Sequence, residues 1–444
     1  MISNRILSRF ISYKHRFVIF LIFTIISLYC LEYQTHSSYY LHSINKIRVA
    51  FYCTSLKYGG VERVTSILLN YLSREKYFIF YLITYKPILN DEYSLPNNII
   101  RKSLYNHKRN LFKEIKKEEI DILIYNFYEI KEIKNLNKLK KTKVIYYNHS
   151  SYFLWLLNHI YNLKQSVYQV YRNCKYILSL IPLENDYLFK LWGINSIFIN
   201  NPSTYEYDSV IPSDLSKKNI IMIGRGNDPS KRFEFGIYAM KKIIKEIPDC
   251  KMNIISKSYN NLQDMIHTLN LTNNVKITGY QKNPEPFFKN ASLHIFPSIC
   301  DTYPMVISET KIFGIPSIIC GLDYLALAKE GTVIIYDNDP NSLAKEAIKI
   351  LNNEKYRKKL GFEARESMKK IKNNLIAKKW TKLLLSVYKG IDIISFQKLF
   401  NDFHKYVKQD EGDLILNNQL KTFTKFIPNL KDATLENFKY FSFG

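Results

Sequence analysis

Short apolar runs alternate with helical patterns from residue 47 to residue 391 of this chain. The first unit shows the pattern: IRVAFYCTS (47–55) has the character of a buried strand, KYGG forms a glycine turn, and VERVTSILLNYLS (61–73) has apolar residues at helical spacing. Strands that alternate with helices in this way form parallel sheets with helices packed on them. The sequence therefore predicts an α/β fold.

The predicted strands fall into two sets, separated by the polar link TYEYDSVIPSDLSKK at 204–218. In the first set we expect strands at 47–55, 78–84, 121–126, 143–148, 176–181 and 196–200. In the second set we expect strands at 219–226, 251–256, 275–278, 293–297, 316–320 and 333–336, and then a closing helix at 374–391. This organisation predicts two Rossmann-like doubly wound domains, 47–205 and 219–391, facing a cleft at the carboxyl ends of their strands.

The N-terminal segment carries a membrane signal. Residues 17–31, FVIFLIFTIISLYCL, are apolar and uncharged, and four basic residues precede them within 1–16. The run is shorter than the ~20 residues of a comfortable transmembrane helix, so a signal peptide and an anchor both stay open. Because no clear small-x-small cleavage site follows, we expect an uncleaved transmembrane signal-anchor at 17–33, followed by a stem at 34–46.

The basic residues before the apolar run also predict its orientation. Lys and Arg near a membrane end stay in the cytoplasm, which makes 1–16 a cytoplasmic tail and the rest of the chain luminal. This is the topology of a type II single-pass protein of the endoplasmic reticulum or Golgi. Lys46, Arg48 and Lys57 follow the segment and weaken the asymmetry, so a cytosolic-facing orientation stays open.

Charge and cysteine content exclude some classes of protein. The formal net charge is +25, which would suit an anionic partner, but the lysines are spread along the whole chain as in a compositionally biased genome. With no arginine-rich arm and no aromatic RNA-binding motif, we expect no nucleic-acid partner. The six cysteines are scattered without a C-x-x-C pair, and we interpret them as free thiols or core residues.

Two carboxylates in SICDTYPMVISETKIFGIP (298–316) mark the cleft of the second domain. Asp301 follows a predicted strand, and Pro304 and Gly314 suit the start and end of a short helix. Positions eight apart differ by about 80° around a helix, so Glu309 would lie two turns below Asp301 on a shared side. The alternative is that Asp301 or Thr302 only caps the helix and Glu309 is a solvated side chain.

Two cations in IGRGNDPSKRF (223–233) are predicted to lie at the same rim. Arg225 ends the first strand of the second domain, and Lys231 follows six residues later. Such a pair suits a diphosphate, because arginine can bind oxygens bidentately and lysine adds a compact charge. Taken alone, the two residues could also be ordinary surface cations.

In chain order, these motifs resemble the family-4 retaining glycosyltransferases of the GT-B fold, the glycosyl transferases group 1. The resemblance covers most of 47–390, and its pieces are YGGVERV (58–64), NHS (148–150), NNPS (200–203), GRGNDPSKRF (224–233), VKITGY (275–280) and FPSICDTYPMVISETKIFGIPSI (296–318). It implies transfer of a hexosyl group from a nucleotide-sugar donor, with retention at the anomeric carbon. Residues 47–205 would form the acceptor domain and 219–391 the donor domain, with a glycan, protein or lipid as acceptor at the membrane.

The resemblance assigns the paired acids to the donor. Glu309 would bind the ribose hydroxyls of the nucleotide, while Asp301 and the backbone amides of Thr302 and Tyr303 would face the sugar. The first acid in this family is usually glutamate, and Asp301 is one methylene shorter. We therefore expect either a deeper sugar position or a weaker contact to it.

The remaining site residues follow in the same way. Arg225 and Lys231 would hold the diphosphate, Gly59 and Gly60 would let the backbone approach it, and His149 would lie near the transferred sugar, unless it is a structural histidine. Since these cations and helix amides would neutralise the leaving group, and no D-x-D motif ends a strand, we expect no metal and no cofactor besides the donor substrate.

Several interpretations stay open. The segment SKSYNN (256–261) stands where the family often has a glycine-containing turn, which leaves the base pocket uncertain. Glu62 and Arg63 have no assigned role, because a surface ion pair is the default for the first turn of a helix. Residues 392–444 match no recognisable pattern. The alternative functions are a weak or inactive membrane-tethered sugar-nucleotide-binding protein and a nucleotide-sugar epimerase of the same fold.

Overall fold

The computed structural model describes residues 46–399 with short gaps, which are 58, 106–109, 128–129, 150–169, 183–184, 186–187, 189–192, 227, 257–259, 300, 323–324 and 338. The predicted tail, the predicted anchor at 17–33, the stem up to residue 45 and residues 400–444 lie outside the described part. Within the described part, no helix is long and apolar enough to cross a membrane. Of the described residues, 48–75 and 79–399 belong to one compact unit.

Parallel strands form the first sheet. Among the described residues it has seven strands in the order β3-β2-β1-β4-β5-β6-β7. The strands are β1 (Ile47–Cys53), β2 (Phe78–Thr84), β3 (Ile100–Ser103), β4 (Ile122–Tyr125), β5 (Lys143–Tyr147), β6 (Tyr176–Ser179) and β7 (Ile197–Phe198). The described helices that accompany them are α1 (Gly60–Leu72), α2 (Leu111–Lys117) and α3 (Ile130–Leu136).

A second parallel sheet follows the linker. Its described strands have the order β10-β9-β8-β11-β12-β13. They are β8 (Asn219–Ile223), β9 (Lys251–Ile255), β10 (Val275–Ile277), β11 (Leu293–Phe296), β12 (Ser317–Cys320) and β13 (Thr332–Ile335). The helices are α4 (Phe233–Glu246), α5 (Asn260–Thr268), α6 (Glu285–Lys289), α7 (Met305–Ile312), α8 (Pro340–Asn352), α9 (Glu354–Ser367), α10 (Asn373–Tyr388) and α11 (Ile393–Leu399). The α/β prediction with parallel sheets is confirmed.

The central strands are apolar because both of their faces are covered. All four residues of β4, of β11 and of β12 are buried, as expected for parallel sheets with helices on each side. In the second domain, α4 and α8 pack together over the sheet. Cys53, Cys250 and Cys320 are buried free thiols, in agreement with the interpretation of the cysteines.

Helix α10, which the sequence placed at the end of the second domain, packs against α1 and β4 of the first. Its Trp380 is fully buried, with ring-centroid distances of 5.8 Å to Phe51 and 5.1 Å to Tyr147. At the start of the helix, the Asn373 side chain accepts a hydrogen bond from the Ser203 amide at 2.8 Å and donates one to its carbonyl at 2.9 Å. The chain therefore returns to the first domain after completing the second.

Candidate active site

A cavity of about 820 Å³ lies between the carboxyl edges of the two sheets, within the usual range for small-molecule sites. Residues from both domains line it. Among the residues predicted for the site, those on the cavity wall are Gly59, Gly60, His149, Arg225, Lys231, Asp301, Tyr303 and Glu309. Thr302 is buried and is not among the residues on the wall. Strand ends on two sheets thus bring together residues that lie far apart in sequence.

The two predicted acids lie on different kinds of backbone. Helix α7 begins at Met305 with Pro304 as its N-cap, and Gly314 follows its end with a φ of 69°, so the helix boundaries were predicted well. Asp301, however, lies in the loop before the helix. The expectation that Asp301 and Glu309 share one side of a helix is therefore wrong, because helical periodicity does not extend to a residue before the N-cap.

Asp301 and Lys231 form an ion pair. The distance from Lys231 Nζ to Asp301 Oδ2 is 2.5 Å, and both side chains are largely buried. The other oxygen, Oδ1, accepts a hydrogen bond from the Thr302 amide at 3.0 Å. This amide, which was expected to face the sugar, here contacts Asp301. Lys231 also lies 5.5 Å from the centroid of the Phe296 ring, so the ammonium is held from two sides.

Arg225 is the more exposed of the two predicted cations, with a side chain that is 71% exposed. Its Nη2 lies 2.7 Å from Asp228 Oδ2. Burial alone would raise the pKa of the Asp228 carboxyl, but hydrogen bonds from Ser230 and the charges of Lys231 and Arg225 lower it below its ordinary value. Asp228 also accepts a hydrogen bond from the Ser230 amide at the start of the turn Pro229–Lys231, and so fixes the loop that carries both cations.

Glu309 is buried on α7 and contacts the opposite domain. Its Oε1 lies 3.0 Å from Nη1 of Arg63, with side-chain exposures of 4% and 19%. The same oxygen accepts a hydrogen bond from the Thr204 hydroxyl at 2.6 Å. The alternative of a solvated Glu309 is therefore wrong, and so is the default of a surface ion pair for Arg63. Sequence reasoning missed both contacts, although Arg63 was already part of the YGGVERV motif.

In the glycine loop at the start of α1, only Gly59 has a close neighbour among the described residues. Gly60 begins the helix and Gly59 is its N-cap. A Cβ atom on Gly59 would lie 1.7 Å from Oε2 of Glu62, so a larger residue at Gly59 would displace that carboxylate. Glu62 is half-buried, and burial raises the pKa of its carboxyl.

The first sheet contributes polar groups at the ends of two neighbouring strands. Asn126 follows β4 and His149 follows β5, and both side chains line the cavity. Both amide atoms of Asn126 and Nε2 of His149 are buried and make no hydrogen bond within the described residues. Burial lowers the pKa of His149 to about 3, so its imidazole is neutral near pH 7. No sequence motif identified Asn126 beyond its place at a strand end.

The second domain adds two similar groups, the hydroxyls of Ser256 and Tyr303. In the described part of the chain, neither hydroxyl has a hydrogen-bond partner. Buried polar atoms of this kind are normally satisfied by water or by a ligand. The cavity is therefore lined by the cations Arg225 and Lys231, and by the hydrogen-bonding side chains Asn126, His149, Ser256 and Tyr303. These groups suit a ligand that has both phosphate and hydroxyl groups.

The second domain matches a known family model. Residues 205–367 match the family model described as Glycosyl transferases group 1. This region carries Arg225, Lys231, Asp301 and Glu309, together with all described strands of the second sheet. The match is to the family that the motifs of this region resemble.

Known proteins resemble the chain at two levels. An uncharacterized glycosyltransferase of Methanocaldococcus jannaschii is 30% identical over 131 residues, which make up 26% of this chain and 32% of the relative. The match thus spans about a third of that relative's length. A sucrose-phosphate synthase structure from Thermosynechococcus elongatus has a TM-score of 0.65 at 16% identity, covering 78% of this chain and 100% of that one. HepE of Anabaena in complex with UDP has a TM-score of 0.63 at 14% identity, covering 77% and 100%. These likenesses establish the two-domain fold.

Proposed function

We propose that the protein is a retaining, metal-independent glycosyltransferase that moves a hexosyl group from a nucleotide-sugar donor to a glycan, protein or lipid acceptor at a membrane. The observation that carries the proposal is the cavity wall in which Lys231, Asp301 and Glu309 lie opposite the loop Gly59–Gly60. The match to glycosyl transferases group 1 supports it. A fold shared with a UDP-bound protein makes UDP-sugars the first donors to test.

In the proposed reaction, the bond between the anomeric carbon and a diphosphate oxygen breaks, and an acceptor oxygen bonds to that carbon on the same face. The acceptor proton passes to the leaving diphosphate. Lys231 and Arg225 would stabilise the negative charge that develops on the diphosphate, a gain concentrated in the transition state. An ammonium group has three donors, so Lys231 can contact a phosphate oxygen and keep its bond to Asp301.

The remaining groups would hold and orient the donor. Glu309 would accept hydrogen bonds from ribose hydroxyls, and Asp301 and Tyr303 would lie beside the sugar. His149, neutral because burial lowers its pKa to about 3, would donate to or accept from a sugar hydroxyl without adding charge. In this proposal, the carboxylates and the imidazole bind the sugar nucleotide while the two cations act on the leaving group.

The test separates this proposal from its two rivals. The full-length protein in detergent is screened against UDP-, GDP- and ADP-sugars by thermal shift, and the products of binding donors are then analysed with and without acceptors. A glycosyltransferase releases nucleotide and forms a glycoside when an acceptor is present. An epimer formed from the donor alone would indicate an epimerase, and donor binding without turnover would indicate a binding protein. Either result would overturn the proposal.

Metal independence gives a first prediction. Activity with the donor found in the screen should be unchanged after treatment with EDTA, because Lys231, Arg225 and the amides near α7 would neutralise the leaving diphosphate without a metal ion. The measurement is the initial rate before and after dialysis against the chelator. A complete loss of activity that Mn²⁺ restores would contradict the prediction.

Membrane topology gives a second prediction. We propose a type II protein with a luminal catalytic body, since basic residues precede the apolar run at 17–31. A tag at the C-terminus should then be protected from protease in intact microsomes and digested once detergent is added. Digestion in intact microsomes would show the reverse orientation and would favour a lipid-linked acceptor on the cytosolic leaflet.

A further inference from the structure

The contact between Arg63 and Glu309 joins the two walls of the cavity. Arg63 lies in the first turn of α1, directly after the glycine loop, and Glu309 lies on α7 of the other domain. The two residues are 246 positions apart in sequence, and both side chains line the cavity. A largely buried ion pair of this kind orients its partners more strongly than an exposed one, whose charges are screened by water.

Both contacts of Glu309 are made by the same oxygen. Oε1 accepts hydrogen bonds from Nη1 of Arg63 at 3.0 Å and from the hydroxyl of Thr204 at 2.6 Å. The last torsion of a glutamate side chain has only a broad preference, so a carboxylate held by one donor can still turn. Two donors on Oε1 restrict that rotation and leave Oε2 to accept a hydrogen bond from a ligand.

Arg63 is itself held in place. Its guanidinium lies 5.4 Å from the centroid of the Tyr93 ring, and Tyr93 contacts Tyr280 of the second domain. Burial alone would lower the pKa of Arg63, but the Glu309 carboxylate and Tyr93 raise it above its ordinary value. The cation is therefore permanently charged and packed between groups from both walls.

We propose that Arg63 and Thr204 are positioning residues of the donor site, which hold Oε1 of Glu309 so that Oε2 accepts a hydrogen bond from a ribose hydroxyl. This inference rests on the proposed function, in which Glu309 binds the ribose. It makes recognition of the ribose depend on both domains, because Glu309 belongs to one wall and Arg63 to the other. An arginine of the acceptor domain thereby contributes to donor selectivity without touching the donor.

The test measures how well the protein distinguishes a ribonucleotide from its 2′-deoxy form. UDP and 2′-deoxy-UDP are titrated into the full-length protein by calorimetry, with the matching GDP and ADP pairs in parallel. The wild type should prefer the ribonucleotide about tenfold, the order expected for one hydrogen bond to a charged group. Arg63→Ala should lose most of this preference, Arg63→Lys should recover part of it, and Thr204→Val should reduce it to a smaller extent. If Arg63 were needed only for folding, its replacement would weaken binding of the ribonucleotide and of the 2′-deoxynucleotide equally.

Arg101→Ala is the matched control. It removes an Arg–Glu pair of similar burial in the same domain, with exposures of 16% for Arg101 and 9% for Glu92. Neither of these two residues lines the cavity, so this variant should keep the ribose preference even if its unfolding temperature falls. The double variant Arg63→Ala/Glu309→Gln should prefer the ribonucleotide over its 2′-deoxy form as much as Glu309→Gln alone does. Both changes act through the same carboxylate, so their effects should not add.

The outcomes separate the inference from the proposed function. If the wild type binds none of the nucleotides, the proposed function fails and the inference fails with it. If the wild type binds them but treats the ribo and deoxy forms alike, the inference and the ribose-binding role of Glu309 are overturned, while nucleotide binding stands. If Arg63→Ala retains the wild-type preference, only the inference is overturned. Independent effects of Arg63→Ala and Glu309→Gln in the double variant would overturn it as well.

Discussion

Replacing both Arg225 and Lys231 by alanine is expected to lower kcat/KM for the donor about 100-fold or more. A hydrogen bond to a charged group contributes roughly 1.5 to 3 kcal/mol, and each tenfold loss corresponds to about 1.4 kcal/mol. Lys231→Ala should account for most of the effect, because Lys231 is the more buried of the two and also pairs with Asp301 at 2.5 Å. The measurement is steady-state kinetics of the two single variants and the double variant.

A matched control removes two positive charges elsewhere on the same domain. Lys241 and Lys242 are exposed on α4, outside the cavity, and their joint replacement by alanine should leave kcat/KM within about twofold, as expected for surface substitutions away from the site. The unfolding temperature of each variant shows whether a fall in kcat/KM comes from the missing cation or from a less stable fold. Unchanged turnover in the Arg225→Ala/Lys231→Ala variant would refute the assigned roles of both cations.

Trp380→Ala is expected to lower the free energy of unfolding by about 3–5 kcal/mol, the usual cost of removing a large buried aromatic side chain. Trp380 is fully buried and packs against Phe51 and Tyr147 of the first sheet. Its indole nitrogen makes no hydrogen bond within the described residues, so the loss should come from packing alone. Chemical denaturation followed by circular dichroism measures the change.

Phe362→Ala provides the comparison. Phe362 is a large aromatic residue on α9 with 67% exposure, and its replacement should change the free energy of unfolding by no more than about 0.5 kcal/mol. Trp380→Phe should fall between the two, since it keeps an aromatic ring at the site. Equal stability of Trp380→Ala and the wild type would mean that α10 does not hold the first domain together.

Local sequence signals predicted most of the secondary structure. The strand predicted at 78–84 has those bounds in β2, and the predicted strand at 143–148 differs from β5 by one residue, because a run of apolar residues ended by polar ones is a local property. Strand β3, IRKS at Ile100–Ser103, was missed. It is polar and partly exposed at the edge of the sheet, so it lacks the apolar run that identifies a central strand.

The sequence by itself determined the α/β class with parallel sheets, the helix that begins after Pro304 and several of the residues that line the cleft. All of these depend on the periodicity of apolar residues, on proline and glycine at helix ends, and on the rule that parallel strands place their carboxyl ends at one edge. The metal independence, the membrane anchor and the roles assigned to the site residues remain predictions, because they concern chemistry or segments that folding patterns alone do not test.

Only the tertiary structure decided which of these residues meet. Lys231 reaches Asp301 across 70 positions, and Arg63 reaches Glu309 across 246, distances over which local propensity carries no information. The apolar side of α10 could have packed on either sheet, and it packs on the first. Such contacts depend on how two sheets and their loops are oriented in space. Differences of a few ångströms between side chains then determine whether a carboxylate faces solvent, a cation or a ligand.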